Sequence, residues 1–142
     1  MNNWFEAKIT YEKEVNQEGM MKKVSESYLL DAVSFTEAEV RIAEKIESRG
    51  SFVLNNLRKV RYAEVFLNDK ADKFYKAKVG FITLDEKAGV EKKKYVQMLV
   101  QANDLQDALD GVNKGMAGTL ADYEISAIQE TTLMDVFPYE VK

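Results

Sequence analysis

The chain has 142 residues and a formal net charge of −4, and it contains neither histidine nor cysteine. The missing cysteines exclude disulfides and thiol chemistry, and the missing histidines remove the commonest general base and transition-metal ligand. The length suits one domain with its own core, and no apolar run is long enough for a membrane span. Because the first residues lack the pattern of a signal peptide, we expect a cytoplasmic protein.

The first predicted element is a strand over residues 4–11, where side chains alternate between the two faces of a half-buried sheet. A polar turn around Gly19 follows, and the returning strand KKVSESYLLDA completes a hairpin. A helix then begins near Ser34, which stands in the capping-box relation to Glu37. An extended segment over residues 52–67 closes this unit, and we interpret it as one long strand.

The same order of elements recurs about 70 residues later, which indicates an internal duplication. WFEAKITY, from Trp4, is matched by FYKAKVGF, from Phe74, and the hairpin glycines and paired lysines coincide at the same offset. The second helix begins at Asp104, and the second closing segment covers residues 123–139. One inserted residue changes the offset from 70 to 71, and we expect a bulge in the first closing strand near Asn55.

These elements predict an α+β fold in which a ββαβ repeat occurs twice with pseudo-twofold symmetry. We expect an antiparallel sheet covered by one helix in each repeat, because each helix has one apolar stripe. Residues 1–142 should form a single domain made of two repeats, at about residues 1–69 and 70–142. Edge strands are then available to pair between repeats or between chains.

The sheet face away from the helices carries the most suggestive surface. Aromatic faces that stack on bases, and cations that follow the backbone, are how many proteins hold single-stranded nucleic acid. The aromatic and basic residues predicted on or beside this face are Trp4, Lys8, Lys22, Lys23, Phe74, Lys76, Lys78, Lys92 and Lys93. Lysines on hairpins and sheet edges also commonly keep a sheet soluble and prevent its edges from pairing with other chains. The aromatic side chains would equally suit a face buried between subunits.

A further basic cluster, formed by Arg58, Lys59 and Arg61, has no basic counterpart in the second repeat. We include it among the candidate nucleic-acid contacts, although three charges on a strand are also common on a solvated surface. Carboxylates at the helix starts, such as Glu37 and Asp107, are better explained as capping groups than as metal ligands. No phosphate-binding or nucleophile motif occurs, so we predict no catalytic residue, metal or cofactor.

The motifs WFEAK, LLDAVSFTEAE, FITLDEK, KKKYVQMLVQANDL and MDVFPYE resemble a family of small uncharacterised proteins. That family is classed as a domain of unknown function and is found chiefly in gut anaerobic bacteria and their phages or mobile elements. The resemblance covers nearly the whole chain and implies a replication or recombination accessory, without established catalytic residues. The duplicated units are also similar, more loosely, to the Whirly and Pur-alpha single-strand binders, which place four strands before the helix instead of two.

We therefore expect a non-enzymatic binding protein, and a homo-oligomer, whose sheet face contacts single-stranded nucleic acid. The alternative is a structural or protein-interaction module in which the same face is buried between subunits. An enzyme with a carboxylate or metal site is the least favoured of the three readings.

Overall fold

Two four-stranded sheets, each with a helix on one face, make up the fold in the computed structural model, which describes residues 3–14 and 18–139. The strands are β1 (Trp4–Glu14), β2 (Met21–Asp31), β3 (Phe52–Val60), β4 (Glu64–Phe66), β5 (Lys73–Asp85), β6 (Val90–Ala102), β7 (Asp122–Glu130) and β8 (Leu133–Phe137). The helices are α1 (Phe35–Ile46), which continues into a 3-10 turn (Glu47–Arg49), and α2 (Leu105–Gly115). The predicted α+β class is confirmed.

Each sheet combines three antiparallel strands with one parallel strand at its edge. The order is β3-β1-β2-β8 in the first sheet and β7-β5-β6-β4 in the second, so corresponding strands of the two repeats take corresponding places. β8 pairs in parallel with β2, and β4 pairs in parallel with β6. The sheets are therefore mixed rather than purely antiparallel, and their common order supports the internal duplication.

Each closing segment consists of two strands that lie in different sheets, so the prediction of one long strand is wrong. The first segment leaves its sheet after Val60, and β4 joins the sheet of the second repeat. The second segment leaves after Glu130, and β8 joins the sheet of the first repeat. Unit 1 therefore joins the described parts of Met1–Arg61 and Thr132–Lys142, and unit 2 is Tyr62–Thr131.

The helix-side face of each sheet holds a hydrophobic core. In unit 1, α1 buries Ala38, Ile42 and Ile46 against side chains of β1 and β2. In unit 2, α2 buries Ala108 and Val112 in the same way. A fully buried aliphatic side chain contributes about 1.5–3 kcal/mol to folding. The helical spacing of these residues predicted both stripes correctly.

The capping signals at the helix starts are confirmed. Ser34 Oγ accepts a hydrogen bond of 3.1 Å from the Glu37 amide, and the Glu37 carboxylate accepts one of 3.2 Å from the Val33 amide. Asp104 and Asp107 take the corresponding places at α2. Each pair satisfies amide groups that the helix itself leaves free, which explains why both helices begin where they do.

The predicted hairpin turns and the predicted bulge can be recognised in the backbone geometry. Gly19 and Gly89 lie in the two hairpin connections with φ of 81° and 65°, values that favour glycine. Residues 15–17 of the first turn lie outside the described residues. The expected bulge is present, since the pairing of β1 with β3 skips Asn55, and the pairing of β5 with β7 skips Ser126 at the corresponding place.

Candidate nucleic-acid interface

The two aromatic residues of the predicted stacking platform are buried. Trp4 is 5% exposed and Phe74 is 2% exposed. Both lie on the sheet face away from the helix, where Leu29 in unit 1 and Leu99 in unit 2 are also fully buried. A buried ring cannot stack on a base, so the expectation that Trp4 and Phe74 are exposed is wrong.

The reason is that each sheet is buried on both faces at the end where its first strand begins. Four consecutive residues are buried in β2, at residues 28–31, and three in β6, at residues 98–100. A strand with one exposed face alternates in burial, whereas a continuous apolar run is typical of a strand covered on both faces. The runs YLL and MLV are thus the sequence signal that predicts burial of Trp4 and Phe74.

The exposed part of this face in unit 2 carries four polar side chains, here called the polar strip: Lys76, Lys78, Gln97 and Gln129. Lys76 on β5 lies opposite Gln129 on β7, and Lys78 lies opposite Gln97 on β6. Both lysines and Gln129 are exposed, and Gln97 is half-buried. Within the described sheet, the two rows that contain these lysines include no carboxylate. The polar strip is therefore a small cationic surface with amide groups beside it.

An exposed aromatic ring adjoins the polar strip. Tyr95 on β6 lies opposite Gly80 on β5 and is 45% exposed. A Cβ at position 80 would lie 2.8 Å from Tyr95 Cε1, so the glycine allows the ring to lie close to β5. Lys78 Nζ is 4.6 Å from the ring centroid, which is a cation–π distance. Tyr95 is thus an exposed aromatic ring on the face where the sequence pattern predicted Trp4 and Phe74 to be exposed.

The corresponding surface of unit 1 is built differently. Lys8 is exposed and takes the place of Lys78, but Glu6 occupies the position of the second lysine. Glu6 accepts a hydrogen bond of 2.8 Å from Arg58 Nε. Thr10 and Ser25 stand where unit 2 has the glycine and the tyrosine, and their hydroxyl oxygens are 3.1 Å apart. Among the described residues of unit 1, this surface therefore has one lysine at the positions of the polar strip and a serine in place of the tyrosine.

Lys92 and Lys93 do not belong to the polar strip, because each forms an ion pair of its own. Lys92 Nζ is 2.9 Å from Asp85 Oδ2, and Lys93 Nζ is 3.0 Å from Glu124 Oε1. The hydrogen bond from Lys92 holds the pKa of Asp85 below its usual value. The hydrogen bond to Glu124 raises the pKa of Lys93. Both lysines therefore already have an acidic partner.

The remaining basic candidates are divided between the two faces of the unit 1 sheet. Lys22 and Lys59 lie on the helix side in the strand register. Lys23 and Arg58 lie on the opposite face, which they share with Lys8. Arg61 directly follows β3. The structure therefore does not gather these cations into one patch.

The described residues contain no group of three acidic side chains placed to hold a metal ion. The acidic side chains at the helix starts act as caps instead. An open cleft of about 640 Å³ lies beside the unit 1 hairpin, lined by residues such as Met21 and Phe52. Another of about 750 Å³ lies between β4 and α2, lined by residues such as Phe66 and Lys114. Both are partly open to solvent, and each is lined by residues of a single unit.

The fold defines a β-rich α+β protein made of two corresponding units that exchange a short edge strand. Residues 3–139 match the model of the family described as Domain of unknown function (DUF4494), and the chain belongs to that family. The resemblance to an uncharacterised family is thereby confirmed. No curated protein and no solved structure gives a significant match. In the part of the chain that the structure describes, no helix is both long and apolar enough to cross a membrane.

Proposed function

We propose that this chain is a non-catalytic binding protein that holds single-stranded nucleic acid on the polar strip and Tyr95 of unit 2. One observation carries the proposal: two exposed lysines, two glutamines and an exposed tyrosine share one sheet face, and the described lysine rows contain no carboxylate. Lysines neutralise phosphates, an aromatic ring stacks on a base, and amide groups hydrogen-bond with base edges.

The spacing of the two lysines suits a nucleic-acid backbone. Lys76 and Lys78 lie on the same face of β5, two residues apart, which is about 6.7 Å along a strand. That distance is about twice the 3.4 Å axial rise per nucleotide in one strand of a duplex. Flexible lysine side chains at this spacing can contact phosphates that are two nucleotides apart in a stacked single strand, while a base reaches Tyr95.

The net charge of −4 and the two lysines of the polar strip predict modest, salt-sensitive binding. For single strands, the logarithm of the binding constant falls with the logarithm of salt concentration by about 0.7 for each phosphate neutralised. Two lysine contacts therefore predict a slope of about −1.4. A phage or mobile-element origin and a cytoplasmic location, both expected from the sequence, would suit such a replication or recombination accessory.

The test is a fluorescence-anisotropy titration with a labelled mixed-sequence single-stranded oligonucleotide at low and moderate salt. Lys76→Ala combined with Lys78→Ala should abolish salt-sensitive binding. Tyr95→Ala should weaken binding about 5- to 150-fold, the range expected for one stacked base. Lys8→Ala, a matched change on the other unit, should have little effect. Absence of binding at low salt, or equal binding by the double variant, would refute the proposal.

Homo-oligomer formation stays part of the proposed function. Each sheet ends in strands that pair on one side only, and such strands are sites where another chain can add. This supports an oligomer assembled through sheet edges more directly than one assembled through a sheet face, since Trp4 and Phe74 are already buried within one chain.

A further inference from the structure

The two sheets end in corresponding outer strands of opposite charge. β3 is an outer strand of unit 1 and β7 is the corresponding outer strand of unit 2, and each has nine residues. β3 and the residue that follows it carry three cations and no anion, whereas β7 carries three anions and no cation. The charged residues are Arg58, Lys59 and Arg61 on the first strand, and Asp122, Glu124 and Glu130 on the second.

We propose that β3 of one copy of the chain pairs with β7 of a second copy and joins two sheets into one. An outer strand presents unpaired N–H and C=O groups that a strand of another chain can satisfy. The opposite charges favour pairing of β3 with β7 and disfavour pairing of either strand with its own kind. The contact is therefore heterologous, so that every copy has one basic and one acidic edge to offer.

The two strands pair in antiparallel fashion, because their charges are placed at opposite ends. The cations lie at the end of β3, and Asp122 and Glu124 lie at the start of β7. Antiparallel strands bring these ends together, and Arg58 then lies opposite Glu124. A parallel pair would instead place the cations beside the end of β7, where only Glu130 carries charge.

The apolar side chains select the same alignment. With Leu57 opposite Ile125, Leu54 falls opposite Ile128, and all four side chains lie on the helix-side face and are half-buried in a single chain. Directly opposed residues of an antiparallel pair share a face and pack together. Pairing thus extends the two helix-side cores toward each other by two aliphatic contacts.

The bulges also agree with this alignment. Each strand has its extra residue in the middle, at Asn55 in β3 and at Ser126 in β7. When Leu57 lies opposite Ile125, the two bulges fall at the same level. The extra residue of one strand is then matched by the extra residue of the other, and the alignment is kept on both sides of the bulges. A slip by two residues would place the two bulges at different levels, so that the pairing would be disturbed at two positions instead of one. One register is therefore favoured over its neighbours.

Ion pairs already present within each chain extend across this contact. Arg58 is 63% exposed and pairs with Glu6 on β1. Glu124 of the second copy pairs with its own Lys93 at 3.0 Å. Pairing of the strands creates a row in the order Glu6, Arg58, Glu124, Lys93, in which the sign of the charge alternates. Such a row contributes more than an isolated surface ion pair, whose contribution is small.

The experiment uses two charge-reversal variants of the full chain and sedimentation velocity over a range of protein concentrations. One variant carries Arg58→Glu and Arg61→Glu, and the other carries Asp122→Lys and Glu124→Lys. The wild type should associate reversibly, and salt should weaken the association. Each variant alone should associate at least about tenfold more weakly, because like charges then face each other.

An equimolar mixture of the two variants should restore association. The acidic β3 of the first then meets the basic β7 of the second, and the acidic β7 of the first meets the basic β3 of the second. Misfolded variants would not complement each other in this way. As a control, Glu39→Lys with Glu44→Lys makes the same charge change as Asp122→Lys with Glu124→Lys. It lies on the exposed surface of α1 and should leave association unchanged.

Three results would overturn the proposal. These are a wild type that stays monomeric at low salt and high concentration, association that neither variant weakens, and a mixture that stays as dissociated as its components. The variant with Arg58→Glu and Arg61→Glu leaves the polar strip, Tyr95 and the rest of unit 2 unchanged, so oligonucleotide binding can be measured on that sample and judged separately.

Discussion

Phe137 belongs to the second repeat by sequence but packs in the core of unit 1. Its ring stacks on Tyr28, with centroids 5.6 Å apart and planes inclined by 15°. The corresponding Phe66 of the first repeat packs in the core of unit 2, where its ring lies against Gly115 of α2. We therefore expect Phe137→Ala to destabilise unit 1 and Phe66→Ala to destabilise unit 2. Each substitution then acts on the unit that is built mainly from the other repeat.

The size of the effect follows from burial. Replacing a fully buried phenylalanine with alanine costs about 3–5 kcal/mol. Both rings are only half-buried, so about 2 kcal/mol is expected for each, including the aromatic contact of Phe137. At 1.4 kcal/mol per factor of ten, this corresponds to about 30-fold faster hydrogen exchange of amides that open with the affected unit.

The measurement is hydrogen–deuterium exchange of peptides that cover β2 and β6. Phe137→Ala should accelerate exchange at residues 27–30, which pair with β8, and spare residues 98–100, which pair with β4. Phe66→Ala should have the reverse effect and serves as the matched control. Faster hydrogen exchange in β6 after Phe137→Ala, with β2 still protected, would refute the placement of β8 in the sheet of unit 1.

Three smaller perturbations test single contacts. Ser34→Ala removes the cap of α1 and should lower the free energy of unfolding in urea by about 1 kcal/mol, whereas an unchanged value would contradict the capping role. Gly80→Ala places a Cβ 2.8 Å from Tyr95 and should weaken oligonucleotide binding as Tyr95→Ala does, with no further loss in the double variant; additive losses would separate the two residues. Burial raises the pKa of Asp31 above its ordinary 3.8, although the nearby Arg41 opposes this. The folded state then favours the protonated acid, so this stabilisation is complete below pH 3.8 and lost as pH rises through the folded pKa. Stability of the wild type should fall relative to Asp31→Asn over that range, and a difference that did not change with pH would exclude the effect.

Features that depend on a few neighbouring residues follow directly from the sequence. Ser34 caps a helix because its hydroxyl accepts from the amide three positions later, and Gly89 ends a turn because glycine readily adopts the positive φ required there. The choice of sheet for a strand has no such local mark. Val65-Phe66 and Val136-Phe137 have the same pattern whether they continue the preceding strand or cross to the other sheet.

In the candidate site too, some features follow from neighbouring residues and others depend on how the strands pair. Alternation correctly assigns Trp4 and Phe74 to the face away from the helix, but burial depends on whether that end of the sheet is covered. Tyr95 could be recognised only from the strand register, which places it opposite Gly80. Residues that are distant in sequence and joined by pairing therefore decide which aromatic ring is exposed.

Synthesis from the amino end gives the two units unequal folding histories. Unit 2 is continuous from Tyr62 to Thr131, so all of its strands leave the ribosome one after another. Unit 1 contains β1, which is made before every strand of unit 2, but it completes its sheet only when β8 has been translated. Throughout that interval the side of β2 that later receives β8 has no strand beside it, and such an edge attracts chaperones and wrong partners. The half of the molecule that is made first therefore matures last.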